Sequence, residues 1–348
     1  MATKRVTIFG ARNNINTLWV TILVLGLLAI FLSPFLFMVF TSLKTQEQIT
    51  TVGAPIWPAA PAYYEHQGEQ LEMFTVPLPD GSERDLAMLK KGRRESVFLD
   101  PRSGEEITWE GSWRMLNRPW RFSPTWSNYT EVWEIIDFPK LLLNTTMYAV
   151  VSNIGVLISC TLVAYGFSRF RFPGRDFLFI VMISTIFLPV AVTIIPTFTF
   201  FTKIGWTGTW LPLLVPTFFA NAYDVFLLRQ YFLTLPREID EAAMIDGASP
   251  LRILWSVILP QSKPVLLAIT VFHIVFAWND YFGPLIYLSS NRDAWPISVA
   301  LPIFNGIYSQ QSQYIQAAAM MALILPLLLF FAAQRFFVQG IVVTGVEK

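Results

Sequence analysis

Apolar positions in this chain come in long unbroken runs rather than at the three-to-four-residue spacing of a helix that wets one face. Six runs approach or exceed the roughly 20 residues an α-helix needs to cross about 30 Å of hydrocarbon, at about residues 17–40, 141–167, 177–201, 210–228, 265–288 and 315–337. The pattern predicts an all-α integral membrane protein with six transmembrane helices, and an even number of crossings leaves both termini on one side.

Between the first two runs the pattern changes. Of the 49 charged residues, 26 lie from Lys44 to Lys140. Within that stretch "ESVFLDPRSGEEITWEG" sets two β-favouring runs around a Pro-Arg-Ser-Gly turn, and "FTVPLPDGSERDLAML" carries a Pro-Asp-Gly turn. A small β-rich insert between spans 1 and 2 is the expectation. Its six tryptophans, from Trp57 to Trp133, are read as lobe core in preference to an aromatic belt at the bilayer face. The chain divides accordingly into residues 1–43 (N-terminus and first span), 44–138 (insert and loop) and 139–348 (five-span core).

Short-loop bases set the orientation. Lys4, Arg5 and Arg12 precede the first span, Arg169, Arg171 and Arg175 fill one short turn, and Arg229, Arg237 and Arg252 fall between spans four and five. These are alternate loops, predicted to be cytoplasmic with both termini, which puts the insert outside the cytoplasm. The first run is too long, and too poor in small residues for cleavage, to be a typical signal peptide, so it reads as a retained span.

Composition adds little beyond this. Mean hydropathy is +0.49, 54% of residues are hydrophobic, and the net charge of +1 provides no basic field for nucleic acid. Cys160, the sole cysteine, lies in an apolar run and reads as a packed thiol, while His66 and His273 are too far apart in sequence to suggest a metal site. A membrane enzyme would need a nucleophile-and-base or metal constellation that this inventory does not supply.

One polar interruption stands out between spans four and five: "LPREIDEAAMIDGASPLRILWSVILPQSKP". Pro236 suits a first helical turn, Gly247 a left-handed stop, and Ser249-Pro250 an N-cap and first position, so the segment predicts helix, glycine turn and second helix ending at Pro260. Glu238, Asp240 and Glu241 complement the first helix's positive end, which by itself explains Glu241. Ala242 and Ala243 leave a smooth face that permits close approach of another surface.

The segment resembles the EAA loop of ABC importer permeases, matching at Glu241, Ala242, Ala243, Asp246, Gly247, Ala248, Ile258, Leu259, Pro260 and Pro264. "FLLRQYFLTLPREIDEAA", "FAWNDYFGPLIYLSS" and "QRFFVQGIVVTGVEK" are similar to the carbohydrate-type branch, the maltose and glycerol-phosphate permease subunits. The resemblance covers roughly residues 10–45 and 122–348, and is silent about an extra segment at about 52–121. It implies the six-span permease fold, with the loop at 236–260 serving as a coupling helix for a separate ATPase: Glu241 makes the polar contact, Ala242 and Ala243 seat the helix, and Gly247 forms the turn. The implied partners are a second homologous permease subunit, two ATP-binding cassette subunits, an extracytoplasmic substrate-binding protein and the lipid bilayer of the inner membrane. The chain shows no Gly-x-x-x-x-Gly-Lys-Ser/Thr phosphate loop, so no cofactor is expected on it and ATP and Mg belong to the partner. The implied cargo is a sugar, oligosaccharide or polyol derivative.

Polar residues inside the spans are candidates for the substrate path. A charge at membrane depth costs about 2.5–3.5 kcal/mol on insertion scales, so Asp280, with Asn279, is expected to face protein or water. The pair could instead satisfy backbone groups freed near Pro284. Asn221 and Asp224 in the fourth span are weighed in the same way, and prolines 189, 196, 212 and 216 can break spans three and four around a cavity. An ion-coupled carrier using Asp224 or Asp280 is the rival reading; it has no use for a docking helix.

Overall fold

The computed structural model describes residues 9–78, 81–306 and 311–342. Lys4, Arg5, Pro79, Asp80 and residues 343–348 of the terminal motif lie outside them. The described chain forms two compact units, residues 1–131 with 304–320, and residues 132–303 with 321–348.

The first unit opens with α1 (Phe9–Ser42), an apolar helix that continues through Pro34. A short α2 (Gln46–Thr50) follows, capped by the Thr45 hydroxyl. Seven strands come next: β1 (Ala59–Pro61), β2 (Tyr63–His66), β3 (Glu69–Pro77), β4 (Glu83–Lys90), β5 (Glu95–Leu99), β6 (Glu106–Glu110) and β7 (Trp120–Phe122). Strands β2 to β6 form an antiparallel meander in sequence order, and β1 pairs with β7, Ala59 opposite Phe122. The β3–β4 and β5–β6 hairpins coincide with the two turn signals in the sequence. Alternation puts Phe74, Val76, Leu86, Met88 and Phe98 into one core.

Trp109 and Trp113 complete that core, Trp109 edge-on to Phe98 and Trp113 edge-on to Phe74. The expectation of a tryptophan core holds for these two, whereas Trp57, Trp126 and Trp133 are exposed. They flank the meander, outside the strands whose alternation points side chains inward. The ends of the lobe are held together where it leaves the helix: Asn128 Nδ2 donates to the carbonyls of Ser42 and Lys44, at 2.8 and 2.9 Å. Closing a loop this long costs only about 0.6 kcal/mol per doubling of length, so pinned ends make a large insert tolerable.

The second unit is helical. After α3 (Ser127–Ile135), which begins in the first unit, come α4 (Phe138–Arg169), α5 (Arg175–Ser184), α6 (Val190–Lys203), α7 (Leu211–Leu214), α8 (Ala222–Thr234), α9 (Arg237–Ile245), α10 (Pro250–Ile253), α11 (Leu259–Gln261), α12 (Lys263–Asn279), α13 (Phe282–Tyr287), α14 (Ile297–Ala300) and α15 (Ser312–Val342). Helix α4 is the hub. Its buried face, Val156, Cys160, Ala164 and Tyr165, packs with Val225, Leu228 and Phe232 of α8 and with Ile253, Leu254, Ile258 and Ile269. Gly155 lets the 3₁₀ turn Val215–Phe218 lie against α4, since a Cβ there would sit 2.4 Å from Thr217 Oγ1.

Four described helices are long and apolar enough to cross a membrane: Thr17–Ser42, Phe138–Arg169, Leu211–Thr234 and Ser312–Ala332. The count reaches six only if two bent pairs, Arg175–Phe187 with Ala191–Lys203 and Pro250–Gln261 with Lys263–Asn279, each count as one span. The first pair bends at Pro189, which ends the helical run before it. The fifth predicted span also differs from a single rod to residue 288. Helix α12 stops at Asn279, and its apolar stretch joins the preceding Pro250–Gln261 segment across an 80° bend.

The second helix of the polar loop runs past Pro260 instead of ending there. Residues Leu254–Ile258 take a π turn, in which Leu259 N–H bonds back to Leu254 carbonyl. A wider turn relieves the clash between a proline ring and the carbonyl four residues earlier, so the helix continues to Gln261.

Candidate functional site

The loop between α8 and α12 is built as its residues dictate. Helix α9 ends in a Schellman turn: Ala248 N–H bonds Ala243 carbonyl at 2.9 Å and Gly247 N–H bonds Met244 carbonyl at 3.0 Å. Gly247 has φ +79°, a left-handed conformation that side chains with a Cβ rarely adopt. Ser249 caps α10 by accepting from Arg252 N–H, with Pro250 at the first position. Because Ile253, Leu254 and Ile258 are buried in the main core, this loop is part of the helical body.

Its two sides differ. Ala243 and Ala248 turn inward and pack against the core, whereas Glu241, Ala242, Asp246 and Gly247 are exposed. Beside them Ile245 is 87% exposed, Trp255 66%, Leu251 60% and Met244 57%. The four make an exposed apolar group on the loop, Met244 and Ile245 on α9, and Leu251 and Trp255 on the segment that meets α12 across the bend. None of these four stands out along the chain, because each reads as an ordinary helix residue until the turn at Gly247 joins the two helices.

Beneath that face lies a buried ion pair, also unforeseen. Arg169 Nε at the end of α4 is 2.8 Å from Asp240 Oδ2 in α9, with side chains only 6% and 8% exposed. Arg169 also donates to Leu235 carbonyl at 3.2 Å, and Tyr165 Oη to Pro250 carbonyl at 3.1 Å. Burial pushes the Asp240 carboxyl above its ordinary value, against the opposing pull of Arg169 and Arg237. The available signal was spacing: Asp240 stands three residues before Ala243, on the same helix face.

A second feature is a cavity of about 650 Å³ whose walls include Asn221, Asp224 and His273 among the aromatic rings of Phe219, Tyr223, Phe272 and Phe276. The break after Val215–Phe218 creates it. Asn221 caps α8, accepting from Asp224 N–H at 2.9 Å while its Nδ2 donates to Asp224 Oδ2 at 2.7 Å. His273 Nε2 lies 3.0 Å from Ser152 Oγ of α4.

Asn279 and Asp280 sit elsewhere. Asp280 Oδ2 accepts from Tyr148 hydroxyl at 2.8 Å and Oδ1 from Gly283 N–H at 3.1 Å, capping the break between α12 and α13. Asn279 Nδ2 donates to Val275 carbonyl of its own helix. Of the four candidate path residues, the fold therefore brings Asn221 and Asp224 to one cavity and uses Asp280 at a helix break. Among the described residues no group of three or more His, Cys, Asp or Glu is placed to hold a metal.

Broken apolar helices around a cavity, with a helical loop presenting an exposed face beyond them, define a membrane transport subunit. The family model for the binding-protein-dependent transport system inner membrane component matches residues 154–343. The chain belongs to that family, the permease subunits of ABC importers, which are transport components and not enzymes. It is 32% identical over 240 residues to the osmoprotective compounds uptake permease protein GgtD of Synechocystis sp., covering 68% of this chain and 80% of that protein. It is 35% identical over 231 residues to the sn-glycerol-3-phosphate transport system permease protein UgpE of Pectobacterium atrosepticum, covering 63% and 80% respectively. The fold matches a chain of a bacterial ABC transporter involved in import of the acidic polysaccharide alginate, with TM-score 0.65, 20% identity, and coverage of 97% of this chain and 99% of that one.

Proposed function

We propose that this chain lines the translocation path of an ATP-driven importer for a sugar, oligosaccharide or polyol derivative, and that the loop 236–260 docks on a separate ATPase subunit. The exposed face around Glu241, Ala242 and Ile245, held rigid by the turn at Gly247 and by core residues Ile253 and Ile258, is the observation that carries the docking reading. Ala243 and Ala248 pack that segment onto the core, and Asp246 and Pro260 are exposed along it. A docked motor that closes on ATP would move α9 and, through the buried pair, the end of α4.

The cavity beside Asn221 and Asp224 is the proposed stretch of path in this chain. Polar groups among aromatic faces suit polyhydroxylated cargo, which needs hydrogen bonds at its edges and apolar contact on its ring faces. Its relatives' names, for osmoprotective compounds and glycerol-3-phosphate, favour the same class. Asn279 and Asp280 support that path by fixing the break at the end of α12. The partners are a second permease subunit, two ATP-binding cassette subunits holding ATP and Mg, and an extracytoplasmic binding protein. Both termini lie in the cytoplasm and the β lobe outside it, across six crossings if the bent pairs each span.

Uptake and substrate-stimulated ATP hydrolysis by the reconstituted complex test the reading. Glu241→Lys or Gly247→Pro should abolish both while leaving the chain inserted. Uptake that survives without ATP, or that ignores both changes, would transfer the assignment to an ion-coupled carrier.

A further inference from the structure

The turn joining α4 to α5 gathers charge where two apolar segments end. The apolar stretch of α4 stops at Arg169, and the next apolar helix begins at Arg175, so residues 170–174 lie at a bilayer surface. A cleft of about 320 Å³ opens there, lined by Arg171, Phe172, Gly174, Arg175, Asp176 and Phe177. Arg171 is exposed and makes no ion pair or hydrogen bond among the described residues. Arg175 uses Nε to hold Asp176 Oδ1 at 2.9 Å, which leaves its two terminal nitrogens available. Arg229 of α8, its guanidinium 4.1 Å from the centre of the Phe179 ring, stands near enough to act electrostatically on Arg175 and Asp176. The cleft itself is lined by two guanidinium groups and one carboxylate, a net charge of one positive, and Arg229 adds a further positive charge beside Arg175 and Asp176.

The rim is apolar. Phe177 is 69% exposed and Phe172 39%, on the turn and first helical residues that border the hydrocarbon. Arginine matches phosphate oxygens through paired N–H donors, and a basic pocket at a membrane surface flanked by aromatic rings has the two-part chemistry of a phospholipid: phosphate at the guanidinium groups, acyl chains along the rings. A soluble phosphate would use the first half only. We infer that this cleft binds the headgroup of an anionic phospholipid, with Arg171 and Arg175 on the phosphate. It is separate from both the cavity beside Asp224 and the docking face of the loop.

The test is native mass spectrometry of the full chain, delipidated in a neutral detergent and titrated with phosphatidylglycerol or with phosphatidylcholine of the same acyl chains. The wild type should prefer phosphatidylglycerol. At about 1 kcal/mol for each basic residue near a headgroup, Arg171→Ala should weaken phosphatidylglycerol about fivefold, and Arg171→Ala with Arg175→Ala about 25-fold. Arg171→Lys, which keeps the charge and loses the paired donors, should fall between the wild type and Arg171→Ala, and the distant control Arg292→Ala should retain the full affinity. Equal binding of the two lipids, or indifference to the double substitution, would overturn the inference. So would loss of phosphatidylglycerol to excess inorganic phosphate, which would make the cleft a site for the free anion.

Discussion

Substituting Asp240 with Leu tests how the loop is tied to the spans. It leaves the Arg169 side chain 6% exposed, its hydrogen bond to the carbonyl of Leu235 at 3.2 Å retained and its carboxylate partner gone. Breaking one side of a buried pair costs about 3–5 kcal/mol, chiefly through the uncompensated charge. The reverse change, Arg169→Met, should cost less. Burial already raises the Asp240 carboxyl, so it can take up a proton and become neutral, an escape closed to a guanidinium. With both changed, two apolar side chains of similar volume fill the site, and such replacements are neutral or stabilising by about 1–4 kcal/mol. The cycle should therefore show a coupling of about 3 kcal/mol or more, far outside the roughly 0.5 kcal/mol of independent sites.

Denaturant unfolding of the four proteins in nanodiscs reads the cycle, with uptake by the assembled complex in parallel. Additive losses would refute the reasoning, since they would mean the two charges are solvated separately. The pH dependence supplies a second check. With its folded value raised, ionised Asp240 is a net cost that is fully present above that value and disappears as pH falls towards the ordinary range near about 4. Mild acidification should thus stabilise the wild type through this group, and Asp240→Asn should remove that part of the slope.

Other changes probe the remaining parts. Gly247→Ala forces a Cβ into φ +79° at roughly 1–2 kcal/mol, and transport coupled to ATP should fall more than thermal stability does. Phe98→Ala empties the centre of the β lobe at about 3–5 kcal/mol and should expose the segment 59–122 to protease while leaving the helical unit intact. Asp100 in the same lobe is held below the usual carboxylate range by the Arg102 N–H and by Arg84. Its contribution is present above about pH 4 and lost as pH falls through the lowered folded value, so Asp100→Asn should flatten the lobe's acid unfolding curve. Asp280→Asn should reduce stability by weakening the cap on Gly283 and leave cargo preference unchanged, whereas Asp224→Asn should alter uptake; equal effects on uptake would defeat the distinction.

Legibility followed the range of the forces involved. The β3–β4 and β5–β6 hairpins and the stop at Gly247 were readable because each depends on residues within a few positions: a turn dipeptide, alternation, a left-handed φ. The bend between Gln261 and Lys263 was not, since hydropathy averages over a window and stays high on both sides of a break. Pro260 misled for a related reason. Proline ends an α-helix, but the π turn just before it changes the geometry the ring must fit, and nothing local in "LWSVI" announces that turn. In sequence Asp240 is one of three acids that complement a helix start, and the distant Arg169 is what makes it a buried partner.

The breaks also explain where the polar residues of the spans belong. A helix interrupted at membrane depth has backbone groups with no water to receive them, so something beside the break must carry a donor or acceptor. Asn221 does this at the start of α8 and Asp280 at the end of α12, two of the places where long apolar runs are cut. Composition alone cannot separate such a cap from a ligand contact, because both call for a short polar side chain at the same depth. Geometry separates them by counting used atoms. Both carboxylate oxygens of Asp280 are engaged, by Tyr148 and by Gly283, which leaves little of the group for cargo. Asp224 meets Asn221 through one oxygen and stands in the wall of the cavity, so the same break that needs a cap also presents a carboxylate to the path.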